Sequence, residues 1–178
     1  SEHIAVVTDA SGSPLTEIAR KLGCVLLEHP LKIGGRYSVF SVSGILPARI
    51  KGLDIEEVHS GASGIVDLLN HGCSVEQYPP ALGAATAVGL SKLKELSTSV
   101  FMTYSDRLSN LGLWYCQLWA ESLGKNGKGI KPTLSFGPKD HHSLLQLYLD
   151  GPKDKFFTLF NSSQNVDKFK ISQDIIPN

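Results

Sequence analysis

Ile4-Ala5-Val6-Val7-Thr8 is apolar without alternation. Successive side chains of a strand point to opposite faces, so a strand wetted on one side alternates apolar and polar residues. An unbroken run asks for cover on both faces, the pattern of a buried parallel strand. The next residues fit the crossover that a parallel strand requires. Asp9 to Pro14 has turn chemistry, and Leu15, Ile18, Ala19 and Leu22 keep helical spacing up to a stop at Gly23. Val25 to Leu27 predicts a second short strand, closed by His29-Pro30. The chain therefore opens β-α-β.

The pattern restarts near Ser97. Ser99 to Tyr104 predicts another buried strand, and Ser105-Asp106 caps a helix running from about Arg107 to Leu123 that ends at Gly124. Thr133 to Phe136 reads as a strand, Gly137-Pro138 as a turn, His141 to Leu149 as a helix and Phe156 to Phe160 as a last strand. Between the two stretches, Tyr37 to Ile50 is helical, apolar and small, with a break expected at Pro47. Helical runs also cover Ala62 to Asn70 and Pro79 to Leu96. Alternating strands and helices imply an α/β fold with parallel sheets, here in two units, residues 1–97 and 98–178. A chain of 178 residues, 42% of them apolar, suffices for one ordinary core or parts of two.

Charge narrows the partners. Seventeen basic residues balance seventeen acidic ones, so no net field draws in nucleic acid or a membrane surface. A small anion needs only one or two cations and stays possible. Lys125, Lys128 and Lys131 cluster in one loop without interleaved aromatics, which a solvated turn explains. No apolar run reaches membrane-spanning length, and no charged, apolar and small-residue leader opens the chain. Cys24, Cys73 and Cys116 form no CxxC pair and no metal-ligand spacing. They read as reduced thiols, each a small buried apolar residue of a cytoplasmic protein.

Three segments carry groups capable of chemistry. Gln117 and Glu121 lie four apart and share one helix face. Leu111, Trp114, Leu118 and Trp119 on the same helix predict that much of it is buried, and burial raises a carboxylate's proton affinity toward that of a useful general base. On residue types alone, a solvated carboxylate in the last turn fits at least as well. Gly34-Gly35-Arg36 precedes a helical run. Two glycines let a ligand approach the backbone, the helix start offers N–H groups to an anion, and Arg36 adds a planar fixed cation. An ordinary loop with a surface arginine is the simpler reading of that spacing taken alone. His141 and His142 follow Asp140 at an expected helix start after a strand, where a histidine is biased toward the neutral form able to relay a proton. The alternative is one capping or packing histidine beside a solvated one.

Taken together and in order, the segments resemble the phosphoglucose isomerase family. The residues carrying the resemblance are Gly34-Gly35-Arg36-Tyr37-Ser38-Val39, Gln117 through Lys125, and Gly137 through Leu147 with Asp140-His141-His142-Ser143 at its centre. Thr8-Asp9 with Ser13-Pro14-Leu15, and Leu46-Pro47 with Gly52-Leu53-Asp54, are similar as well. The resemblance implies three-layer αβα sugar-isomerase (SIS) domains with parallel sheets, here the end of one and the start of a second. It implies interconversion of glucose 6-phosphate and fructose 6-phosphate through a cis-enediol, without a metal or other cofactor.

By the same resemblance Glu121 is the base moving the proton between C2 and C1, and Arg36 stabilises the enediolate. Gln117 and Gly35 contact the sugar phosphate. His142 assists ring opening from the neighbouring subunit of a homodimer. His141 stands where the family usually has Gln. The family's Ser/Thr-rich phosphate loop and a late lysine have no counterpart here, so the chain by itself is expected to be a poor enzyme. A non-catalytic sugar-phosphate-binding or structural fragment, and an isomerase of another sugar phosphate, are the alternatives.

Overall fold

The structure, a computed structural model, describes residues 3–9 and 12–162. The middle of the expected turn at Asp9 to Pro14 and the tail after Ser162 lie outside them. Two compact units divide the chain, Ser1–Val88 and Gly89–Asn178.

In the first unit β1 (Ala5–Thr8) pairs in parallel with β2 (Val25–Glu28), in register from Ala5↔Val25 to Thr8↔Glu28. The crossover is α1 (Pro14–Lys21). Ser13 caps it, its Oγ accepting from the Thr16 N–H at 3.3 Å, and Pro14 supplies a preset φ where no helical N–H is needed. Glu17 in the first turn and Arg20 and Lys21 in the last complement the helix dipole. Gly23, at φ +63°, reverses the chain into β2. The apolar opening run is half-buried rather than fully buried. Among the described residues β1 has a strand neighbour, β2, on one edge only, and Ile4 is exposed.

The helix expected from Tyr37 to Ile50 is two elements. Gly35–Phe40 forms a 3-10 turn, Ser41 is extended, and α2 spans Val42–Ile50. The break falls at Ser41 and not at Pro47. Ser41 is the N-cap whose Oγ accepts from the Ser43 N–H at 3.3 Å, whereas Pro47 gives up one helical bond and α2 runs on to Ile50. No residue of either element is buried.

Gly44 is what lets α2 fold back on the turn. A Cβ there would overlap the Val39 carbonyl oxygen and lie 2.7 Å from Val39 C. Backbone on both sides leaves no side chain to swing away. Gly44→Ala is therefore expected to destabilise this unit by about 2–3 kcal/mol, the upper part of the overpacking range. Urea unfolding reads the change, and an unchanged midpoint would contradict the contact.

Next, α3 (Ile55–Asn70) begins at Ile55 rather than Ala62. Asp54 caps it through Oδ1, which accepts from the Glu57 N–H at 3.1 Å, with Glu56 and Glu57 in the favourable first turn. The division between units falls inside α4 (Pro79–Lys94), which stops before Glu95 at φ +56°.

The second unit is built on β3 (Thr98–Thr103), the middle strand of a parallel sheet ordered β4-β3-β5. Its partners are β4 (Lys131–Phe136) and β5 (Lys155–Phe160). Ser99 through Thr103 are all buried, as two-sided cover requires. Phe101 stacks on Phe160, with centroids 3.8 Å apart and planes 12° apart, and meets Tyr115 at 4.9 Å. Burying one such ring contributes about 1.5–3 kcal/mol.

The β3–β4 crossover is α5 (Ser109–Leu123), preceded by a 3-10 turn over Asp106–Leu108 where the sequence had suggested helix. Gly112 brings α5 down onto the sheet, since a Cβ there would overlap Leu134 Cδ1 and sit 3.3 Å from Phe101 Cδ1. The helix expected from His141 to Leu149 is split at Leu144 into α6 (Lys139–Ser143) and α7 (Leu145–Asp150). The three cysteines are half-buried, not fully buried. Among the described residues no helix is long and apolar enough to cross a membrane.

Candidate active site

The inner side of α5 is committed to packing. Gly112 is buried, Tyr115 lies against Phe101, and Trp119 Nε1 donates to the Ile130 carbonyl at 3.0 Å. Gln117 and Glu121 project on the exposed side, one turn apart. Gln117 Nε2 donates to Glu121 Oε1 at 2.9 Å, so the amide holds one carboxylate oxygen in place. The helix does not bury this carboxylate, contrary to the expectation drawn from its apolar neighbours. Gly112 and Tyr115 mark the side that meets the sheet, Leu111 is itself exposed, and positions 117 and 121 fall on the side away from Gly112.

Arg36 sits in the 3-10 turn that follows Gly34, partly buried, with its guanidinium carbon 4.8 Å from the centre of the Tyr37 ring. That contact restricts where the planar cation can point. Neither Gly34 nor Gly35 has a positive φ. What Gly35 contributes is space, because a Cβ there would meet nothing within 4 Å. The turn is tied by Tyr37 N–H to Gly34 O at 2.9 Å and by Ser38 Oγ–H to Gly35 O at 2.6 Å. An open cavity of about 540 Å³ in the same unit is lined mainly by apolar side chains such as Leu27, Ile45 and Ile55, and Arg36 does not line it.

His142 is exposed on α6. Both histidines lie in the last turn of that five-residue helix, not at a helix N-terminus, so the dipole argument for the pair does not apply. The two histidines differ in role. His141 Nε2 and the Tyr104 hydroxyl share a hydrogen bond of 2.9 Å, with the rings edge to face at 5.5 Å.

Asp140, which residue types marked only as a helix-start acid, is the hub of the turn. Oδ2 accepts from the Phe136 N–H at 2.7 Å and from Ser135 Oγ at 3.1 Å, and Oδ1 accepts from Ser143 Oγ at 3.2 Å. Tyr148 extends the network by donating to Ser135 Oγ at 3.3 Å. These bonds, led by the Phe136 amide, hold the Asp140 carboxyl below the ordinary carboxylate range, against a smaller opposing effect of burial.

A depressed folded value means a contribution present above the unfolded carboxylate's value of about 3.9 and lost as pH falls through the lower folded value. Asp140→Ala is expected to cost about 1–3 kcal/mol at neutral pH, with a gap from wild type that closes in that acid window. Urea unfolding at several pH values checks this. A gap independent of pH would remove Asp140's charge from the account.

Arg36 thus belongs to the first unit, and Gln117, Glu121 and His142 to the second. The structure brings Gln117 and Glu121 together. Among the described residues no three His, Cys, Asp or Glu side chains group as metal ligands would.

Comparison with known proteins extends the pattern. The sequence model of the phosphoglucose isomerase family matches residues 18–137, a span holding Arg36, Gln117 and Glu121 but ending before His142. The glucose-6-phosphate isomerase of Rubrobacter xylanophilus is 42% identical over 150 residues, 84% of this chain and 34% of that protein. A probable glucose-6-phosphate isomerase of Methanococcus maripaludis is 39% identical over 172 residues, 96% of this chain and 38% of the relative. The crystal structure of a hypothetical protein from Thermus thermophilus superposes with a TM-score of 0.77 at 35% identity, covering 88% of this chain and 38% of that one. The chain thus spans roughly a third to two fifths of the length of these relatives.

Proposed function

We propose, since this chain belongs to the phosphoglucose isomerase family, that the protein interconverts glucose 6-phosphate and fructose 6-phosphate in the cytoplasm. The observation that carries the reading is the Gln117–Glu121 pair, a carboxylate held by an amide one helical turn away and open to an arriving sugar. Glu121 takes the proton from C2 of the open-chain aldose. The C–H electron pair becomes the C1–C2 double bond of a cis-enediolate as the C1=O π pair moves onto O1. The O2 hydroxyl proton passes to O1, the C2 carbonyl forms, and the same carboxyl returns the proton to C1. Charge builds on the sugar oxygens in between, where the planar donors of Arg36 act. Gln117 and the open backbone at Gly35 contact the sugar phosphate. His142 serves ring opening from the neighbouring subunit of a homodimer, which suits its exposure on α6.

A coupled assay for fructose 6-phosphate conversion by the whole polypeptide tests this. Turnover of glucose 6-phosphate is expected, ahead of pentose and amino-sugar phosphates in a substrate panel. Absence of turnover would end the catalytic reading, and preference for another sugar phosphate would move the substrate. Isolated His142→Ala protein is expected to recover activity when mixed with Glu121→Gln protein, because hybrid dimers contain one intact site. No recovery despite subunit exchange would refute the shared site.

A further inference from the structure

We propose that His29 is the positioning residue of the Arg36 turn, an inference that rests on the role given to Arg36 above. His29 is fixed at the sheet, where its backbone N–H donates to Thr8 O at 2.8 Å and so extends the β1–β2 ladder. Its imidazole then reaches both ends of the segment that carries Arg36. Nε2 lies 3.0 Å from the Ile33 carbonyl, immediately before Gly34-Gly35, and Nδ1 lies 3.2 Å from Ser43 Oγ, in the first turn of α2. A carbonyl oxygen only accepts, so Nε2 carries a proton, and in the neutral ring Nδ1 then accepts from the Ser43 hydroxyl. One neutral tautomer satisfies both bonds.

The geometry makes His29 a staple. The turn between its two contacts leaves Tyr37, Val39 and Phe40 exposed and buries no residue of Gly35–Phe40, so packing alone holds Arg36 weakly. The bonds inside the turn fix its shape but not its place relative to the sheet. The imidazole supplies one such link, from a strand end to each flank of the arginine. An oriented cation serves a developing oxyanion only where the donors already point, and small displacements of such groups cost much of the rate.

His29→Leu removes both bonds. It is expected to speed hydrogen exchange at the Tyr37 and Ser41 amides severalfold, while amides in α3 keep wild-type protection. Unchanged exchange in the turn overturns the proposal whatever the protein's activity proves to be. In turnover, His29→Leu is expected to lower kcat on the order of tenfold with KM little changed. His29→Gln, which keeps an N–H able to reach Ile33 O, should regain most of it.

The same change made in an Arg36→Lys background is expected to add little, because the staple acts through the arginine. An equal loss in both backgrounds would make His29 merely structural and overturn the inference. A wild-type kcat for Arg36→Lys would instead overturn the role of Arg36, while the exchange result would still judge the staple. If His29→Leu does not fold, Ser43→Ala, which removes only the Nδ1 partner, should show a smaller fall in kcat and faster exchange at Ser41. Wild-type values of both would sink the proposal.

Discussion

Glu121→Gln is expected to lower turnover on the order of 10²-fold or more, the contribution of a positioned acid–base group. The substitution keeps length and shape and removes proton affinity. Its structural cost should be small, because Glu121 is exposed on the outer side of α5 while Gly112, Tyr115 and Trp119 hold the inner side. The new carboxamide oxygen can still accept from Gln117 Nε2, so the local pair survives without its base. The fall should appear in kcat more than in KM, since abstraction of the C2 proton is lost while contacts to the sugar remain. Exchange of the C2 hydrogen with solvent, followed in deuterated water, reports the same step directly. Near-normal turnover or exchange would move the base to another residue.

Much of this pair was legible beforehand because it is local. Four residues on a helix always meet, so once α5 is read from its apolar spacing the Gln117–Glu121 contact follows. The degree of burial did not follow. It depends on which side of α5 meets the sheet, and Gly112 decides that by admitting Leu134 and Phe101. A glycine inside a helical run was the available signal. The same division holds for the fold. Ser13-Pro14 and Gly23 carry the start and stop of α1 in their own chemistry, and β3 shows its central place in the absence of alternation. The start of α3 could also have been read, since Asp54 precedes Glu56 and Glu57 in the order of a capped first turn.

Other features depend on the path of the chain through space and leave no mark in spacing. His29 and Ser43 are fourteen residues apart, and Tyr104 and His141 thirty-seven. His29 had suggested only the close of a strand. Asp140 stood out as an acid before two histidines, but its three donors come from β4 and from α6, which meet only when the turn is folded. The break at Ser41 is subtler. A proline outranks a serine as a helix breaker in isolation, yet Pro47 lies where α2 loses one bond, whereas Ser41 caps the helix that starts beside it. In each case a residue judged by type acted through its neighbours.

Arg36→Lys is expected to reduce kcat on the order of 10²-fold, the scale seen when one preorganised donor to a developing oxyanion is removed. The charge is conserved and the geometry is not. A guanidinium offers parallel N–H donors in a fixed plane, while an ammonium is a compact, strongly hydrated charge on a flexible stem. The Tyr37 ring, 4.8 Å from the guanidinium carbon, restricts the plane of that fork. Gly35 leaves the approach beside it open. The loss should therefore fall on the enediolate more than on substrate binding. kcat should drop with a smaller change in KM, and affinity for a stable enediolate mimic such as a sugar-phosphate hydroxamate should drop in proportion to kcat/KM. Packing predicts little effect on folding, because the turn has no buried residue to disturb. If the lysine variant turns over like wild type and binds the mimic equally well, Arg36 is a surface charge and the electrophilic role belongs elsewhere. If instead affinity for substrate and mimic falls equally, Arg36 grips the sugar phosphate uniformly and does not act on the transition state.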